Sequence, residues 1–99
     1  FLHVDDLSKA IVFCLENHLD ESLYNVGTGK DVKIKELAEL VQNITEHKGK
    51  INWDYTKPDG TPKKLLDVTK LNKLGWYPNI KLKPGIESTY NWYKNKNND

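Results

Sequence analysis

Neither arginine nor methionine occurs in the 99 residues, cysteine occurs once, and no apolar run approaches the length of a membrane span. Each absence closes off a class of function. Without guanidinium groups no side chain offers the planar, two-pronged grip on carboxylate or phosphate, so any anion must be held by point charges on the fifteen lysines. A lone Cys14 cannot close an intrachain disulfide, which fits a reducing, cytoplasmic setting. A bilayer crossing needs about 20 consecutive apolar residues, and nothing here comes near that. A start at Phe1 with no basic-then-apolar leader, in a sequence without an initiator methionine, reads as a piece of a longer polypeptide. The net charge is only +1, so no overall field recruits nucleic acid or a membrane surface, and any basic site must be local.

The chain is long enough for one small domain, and residues 1–99 read as a single unit with no internal repeat. Phe1 to Val4 reads as the end of a strand. A helix follows, capped by Asp5 or Asp6, with Leu7, Ala10, Ile11, Cys14 and Leu15 on its main apolar stripe and Val12 and Phe13 opposite. Leu23 to Val26 reads as a short strand closed by the turn Gly27-Thr28-Gly29, so strand, helix and strand suggest a crossover unit. Ile34, Leu37, Ala38, Leu40, Val41 and Ile44 mark a second helix ending near His47 and Gly49. Ile51 to Tyr55 alternates like a strand. Asp67 caps a short helix carrying Val68, Leu71 and Leu74, which Gly75 ends before Trp76 packs back. Pro84 suits the first turn of a last helix through Ile86, Tyr90 and Tyr93, and residues 94–99 read as a frayed polar tail.

Few of the chemically capable residues form a persuasive constellation. His3 beside Asp5 and Asp6 invites a metal or acid-base reading, but three or four converging ligands are needed, and His18 and His47 sit on polar helix ends. Cys14 falls in an apolar stripe, where thiols are buried and inert. Gly27-Thr28-Gly29-Lys30 lacks the full pattern of a phosphate or dinucleotide cradle and reads better as a turn. Tyr90 with Lys94, and Tyr77 with Lys81, repeat the spacing of a reductase pair, yet Pro78 spoils one as a helix and no nucleotide fold precedes the other. No catalytic or metal-binding residue is assigned.

The stretch KPDGTPKKLLD, residues 57–67, is different because its features agree with one another. Pro58 and Pro62 fix two φ angles, Asp59-Gly60 makes a turn, and Lys63 and Lys64 follow at once. Such a loop suits a preset grip on an anion, and it equally suits a solvated connector.

FLHVDDL, YNVGTG, KIKELAELV, KPDGTPKKLLD and LGW, in this order from Phe1 to about Tyr93, closely resemble the C-terminal third of the GDP-L-fucose synthase family within the extended short-chain dehydrogenases. HVDD and NVGTG are shared widely across that superfamily, whereas KPDGTPKKLLD points to the fucose synthase branch. The resemblance implies an α/β fold: the C-terminal substrate lobe of an extended short-chain dehydrogenase, about four helices with short strands, without the N-terminal Rossmann domain. It implies an NADP-dependent enzyme that epimerises and reduces GDP-4-keto-6-deoxy-D-mannose, with NADP bound by the missing domain and the family's catalytic residues lying before Phe1. By the same resemblance, Asp59 and Lys64 contact the nucleotide part of the GDP-sugar. The chemistry agrees, since a carboxylate accepts from ribose hydroxyls or guanine donors and an ammonium neutralises diphosphate oxygens. The expected partners are a GDP-sugar and further copies of the chain, with neither nucleic acid nor membrane, and the isolated chain is expected to catalyse nothing. The alternative is a small binding module, for nucleic acid or protein assembly, using the lysines with Trp53, Tyr55, Trp76 and Trp92 as stacking platforms.

Overall fold

The computed structural model describes residues 1–60 and 65–97, and among these all regular structure is helical: α1 (Val4–Glu16), α2 (Ile34–Thr45), α3 (Thr69–Lys73) and α4 (Leu82–Lys96). The α1 cap is His3, not Asp5 or Asp6. Its backbone is extended and its ring accepts a hydrogen bond from the amide of Asp5 at 3.0 Å, which leaves both aspartates in the first turn, where the helix dipole favours them.

The buried face of α1 also differs from the stripe its apolar residues suggest. Asp6 and Ala10 are each only 1 % exposed, and Phe13 and Cys14 pack against the core, so the helix presents positions 6, 10, 13 and 14 inward. Leu7, Ile11 and Leu15, expected inside, are exposed with Val4 on the neighbouring face, at three- and four-residue spacing.

No strand forms among the described residues, which corrects the strands expected at Phe1–Val4, Leu23–Val26 and Ile51–Tyr55 and the crossover unit built from them. Their backbone groups find no ladder partners among the described residues, and alternation without a neighbouring chain to pair with does not make a sheet.

The core is small. Ala10, Leu71 and Trp76 form its centre, with Leu2, Phe13, Cys14, Tyr24 and Val26 packed around it. Gly75, at φ 102°, reverses the chain after α3, and the amide of Trp76 then donates to the Leu71 carbonyl at 3.3 Å, folding the indole back onto the helix it has just left. α2 ends at Glu46 in the left-handed conformation, where the amides of Glu46 and His47 close on Asn43 and Gln42. Lys33 precedes α2 without a side-chain cap. α4 carries Pro84 in its first turn, packs against α2, and remains helical through Lys94 to Lys96, within the stretch expected to fray. The radius of gyration is 16.7 Å with extents of 49 × 39 × 17 Å. A compact domain of this length has a radius of about 13 Å. The helices thus form a flat, open arrangement with much apolar surface in water.

Candidate functional site

The described part of the proline loop is anchored at both ends. On its N-terminal side the Asp54 carboxylate accepts from the amide of Thr56 at 3.0 Å and from the Thr56 hydroxyl, fixing the turn that leads into Lys57 and Pro58. Those two bonds, the hydroxyl first, hold the Asp54 carboxyl below the usual carboxylate range. On the C-terminal side Asn25 Nδ2 donates to the Asp67 carbonyl at 3.2 Å, and Asp67 accepts from the amide and hydroxyl of Thr69 at the start of α3. The Thr69 hydroxyl again leads in holding Asp67 low.

The Gly27-Thr28-Gly29 turn belongs to the same anchorage. A Cβ at Gly27 would lie 3.5 Å from Val68 Cγ1 and 3.7 Å from Leu66 Cδ1, and one at Gly29, where φ is 72°, would come within 3.0 Å of Val68 Cγ2. These glycines let the turn settle against Leu66 and Val68, and Thr28 Oγ1 closes it on Lys30. Val68, which is 8 % exposed, packs against the glycine side of this turn.

Asp59 is exposed at the outer part of the loop, and Lys64 lies outside the described residues. Sequence reasoning singles out the loop by its composition but misses Asn25 and the GTG turn as its support. The available signal is Asn25, two residues before the Gly27-Thr28-Gly29 turn.

His3, Asp5 and Ser88 form a constellation with the outline of a serine-histidine-aspartate relay. His3 Nε2 lies 2.9 Å from Ser88 Oγ, and Nδ1 lies 3.9 Å from the Asp5 carboxylate. Proton placement rules the relay out. The Asp5 amide donates to Nδ1, which must therefore carry a lone pair, so Nε2 carries the proton and donates to Ser88. Ser88 in turn donates to the Gly85 carbonyl at 3.1 Å. No base faces the hydroxyl, and the three residues clasp the start of α1 to α4. Asp6 points elsewhere, its two oxygens accepting from the amides of Asn79 and Ile80. This buried carboxylate is a feature the sequence reading missed, although its place one turn before Ala10 puts it on the core face.

The other candidates resolve structurally. Cys14 is half-buried against the core cluster. The Lys94 ammonium sits 5.0 Å over the Tyr90 ring, a cation-π contact on the surface of α4. Tyr77 and Lys81 both precede α4 and share no helix. Among the described residues no three His, Cys, Asp or Glu side chains converge on a point that could hold a metal. No helix there is long and apolar enough to cross a membrane.

Comparison with known proteins agrees with the resemblance. No protein-family model matches the chain. GDP-L-fucose synthase 1 of Arabidopsis thaliana is 52 % identical over 93 residues, which cover 94 % of this chain and 29 % of that protein. GDP-L-fucose synthase of Escherichia coli is 45 % identical over 102 aligned residues, covering 94 % of this chain and 32 % of that one. Among solved structures, a GDP-6-OMe-4-keto-L-xylo-heptose reductase from C. jejuni superposes on 98 % of the chain with a TM-score of 0.87 at 36 % identity, using 31 % of its own length. GDP-mannoheptose C4 reductase from Campylobacter jejuni, solved with NADP bound, matches 95 % of the chain with a TM-score of 0.80 at 35 % identity and 31 % of its own length. The open four-helix arrangement is thus the fold of one part of GDP-sugar reductase structures, and the chain spans about three-tenths of the length of the proteins it matches.

Proposed function

We propose that the chain is the C-terminal, nucleotide-sugar-binding lobe of a cytoplasmic, NADP-dependent epimerase and reductase that converts GDP-4-keto-6-deoxy-D-mannose to GDP-L-fucose. The observation that carries this reading is identity of 52 % and 45 % to GDP-L-fucose synthases along nearly the whole chain. Asp59 accepts hydrogen bonds from the nucleoside, and Lys64 neutralises the diphosphate. The anchored ends of the loop support that role, because a grip whose flanks are already fixed loses little entropy when the ligand arrives.

The NADP that supplies hydride does not fit the residues present. The one glycine-rich turn is packed against Val68, so the cofactor is assigned to the rest of the polypeptide and no chemical step is placed on these 99 residues. By itself the chain is inactive, because hydride transfer requires the reactive carbons to be held together. Copies of the chain associate through the uncovered apolar face of α1.

The lysine-aromatic binding module is the weaker reading. Trp76 is only 7 % exposed, and Trp92 already carries the Lys96 ammonium over its ring.

Calorimetric titration of the chain with GDP tests the assignment. Asp59→Asn and Lys64→Ala should each weaken binding severalfold or more, since a hydrogen bond to a charged group contributes roughly 1.5 to 3 kcal/mol. Affinity for GDP untouched by either change would overturn it.

A further inference from the structure

We propose that Tyr55 supplies the stacking face for the base of the bound nucleotide, an inference that rests on the loop's assignment above. Tyr55 is 90 % exposed, more than any other large apolar side chain among the described residues. Its exposure is not the slack of an unformed segment. The Asp54 carboxylate bonds to the amide and hydroxyl of Thr56, so the residues on either side of the tyrosine are tied together across it. Ile51 is half-buried and Trp53 is 40 % exposed, so exposure rises along the segment to the ring of Tyr55.

A phenol ring held in water by a preformed turn gains by covering one face with another flat, apolar surface. A nucleobase provides that surface, and stacking of this kind tolerates any base because every base has a π-face.

Selection among bases falls to the edge. Asp59 follows four residues later, a backbone span of at most about 14 Å, which permits one nucleoside to meet both ring and carboxylate. A carboxylate accepts and does not donate. Guanine presents two adjacent N–H donors on its pairing edge, whereas adenine sets a ring-nitrogen acceptor beside its single amino donor. Tyr55 and Asp59 together therefore fit a guanosine nucleotide, with the ring contributing affinity and the carboxylate contributing choice.

The test is calorimetric titration of the chain and of its Tyr55→Ala and Tyr55→Phe variants with GDP, ADP and inorganic pyrophosphate. Tyr55→Ala should weaken GDP binding by about five- to a hundredfold, the range for loss of one aromatic stacking partner. Tyr55→Phe should stay within about twofold of the parent, because the ring face is kept. Pyrophosphate affinity should be the same in all three, and GDP should outcompete ADP. If the parent chain does not bind GDP, the functional reading fails and this inference with it. If the parent binds GDP and Tyr55→Ala binds it equally well, the inference alone is overturned. Equal loss of GDP and pyrophosphate in Tyr55→Ala would also overturn it, since the ring would then be shaping the loop and not touching a base.

Discussion

Asp6 Oδ2 lies 2.9 Å from the amide nitrogen of Ile80, 74 residues further along the chain, and Oδ1 lies 3.2 Å from that of Asn79. One buried carboxylate thereby fixes the segment between Trp76 and α4 against the first turn of α1. Two charged hydrogen bonds converge in a chain with a very small core, so their removal should be felt globally. Asp6→Ala should destabilise by about 3 kcal/mol, and Asp6→Asn, which keeps one acceptor oxygen, by about half as much. Denaturant unfolding followed by tryptophan fluorescence measures both. An alanine variant as stable as the parent would show that the two amides are satisfied in some other way.

A second prediction concerns Gly85 inside α4. Replacing an interior helical glycine by alanine ordinarily gains about 1 kcal/mol. Here the new methyl would stand 3.2 Å from His3 Cδ2 and 3.2 Å from Ile80 Cγ2. The His3 ring cannot retreat, because Asp5 holds one of its nitrogens and Ser88 the other. Gly85→Ala should therefore lose the expected gain and cost about 1 kcal/mol from overpacking. In a Ser88→Ala background the ring is freer, and the same substitution should cost less. A double-mutant cycle measures the coupling, and zero interaction energy between the two sites would contradict the clasp.

How far these arrangements could be read from the sequence depends on how local their causes are. α2 was legible because its stripe, spacing and end are all encoded within it. The reversal at Gly75 was legible for the same reason. What the sequence concealed depends on residues far apart. The sequence makes Asp6 a candidate cap because carboxylates near helix starts ordinarily are, and only Asn79 and Ile80, arriving from the other end of the chain, make it a core residue. The expected strands failed on similar grounds, since alternation specifies a face and says nothing about whether a partner chain is present to pair with. On the candidate site, the proline loop stood out by composition. Its anchorage on Asn25 and the glycine turn did not, because that contact joins segments 42 residues apart.

Acid should weaken the loop's two anchoring turns. Asp54 and Asp67 both have folded-state values below the usual one of 3.8, first because a threonine hydroxyl donates to each. A depressed value means that the stabilisation is fully present above the unfolded-state value and is lost as pH falls through the folded one. Stability should thus be insensitive to these groups at neutral pH and should decline once pH drops below about 4. Thr56→Val and Thr69→Val should shrink that acid dependence by moving the folded value back toward the ordinary one. Carbon-detected NMR titration of the two carboxyl groups reads the effect directly, and midpoints at or above the ordinary value in the parent would refute it.

The last prediction follows from the face that α1 leaves open. Val4, Leu7, Ile11 and Leu15 are 65 %, 40 %, 54 % and 81 % exposed, and their three- and four-residue spacing lines them up along one side of a single helix. Aligned apolar side chains of this kind are covered when a second surface is available, and in a solution of the chain alone the available surface is another copy. Light scattering should show an average mass that rises with concentration. Leu7→Lys combined with Ile11→Glu should suppress that rise while leaving the helical content unchanged, since both positions face water in the monomer. Burying a leucine or isoleucine contributes about 1.5 to 3 kcal/mol, so losing two from the contact should lower the association constant more than a hundredfold. Two results would separate the possible failures. A parent chain that stays monomeric across the whole concentration range would mean that the stripe is tolerated in water. Association that survives the double substitution would mean that copies meet elsewhere, and the exposed Trp92 and Tyr93 near the end of α4 would then be the next positions to change.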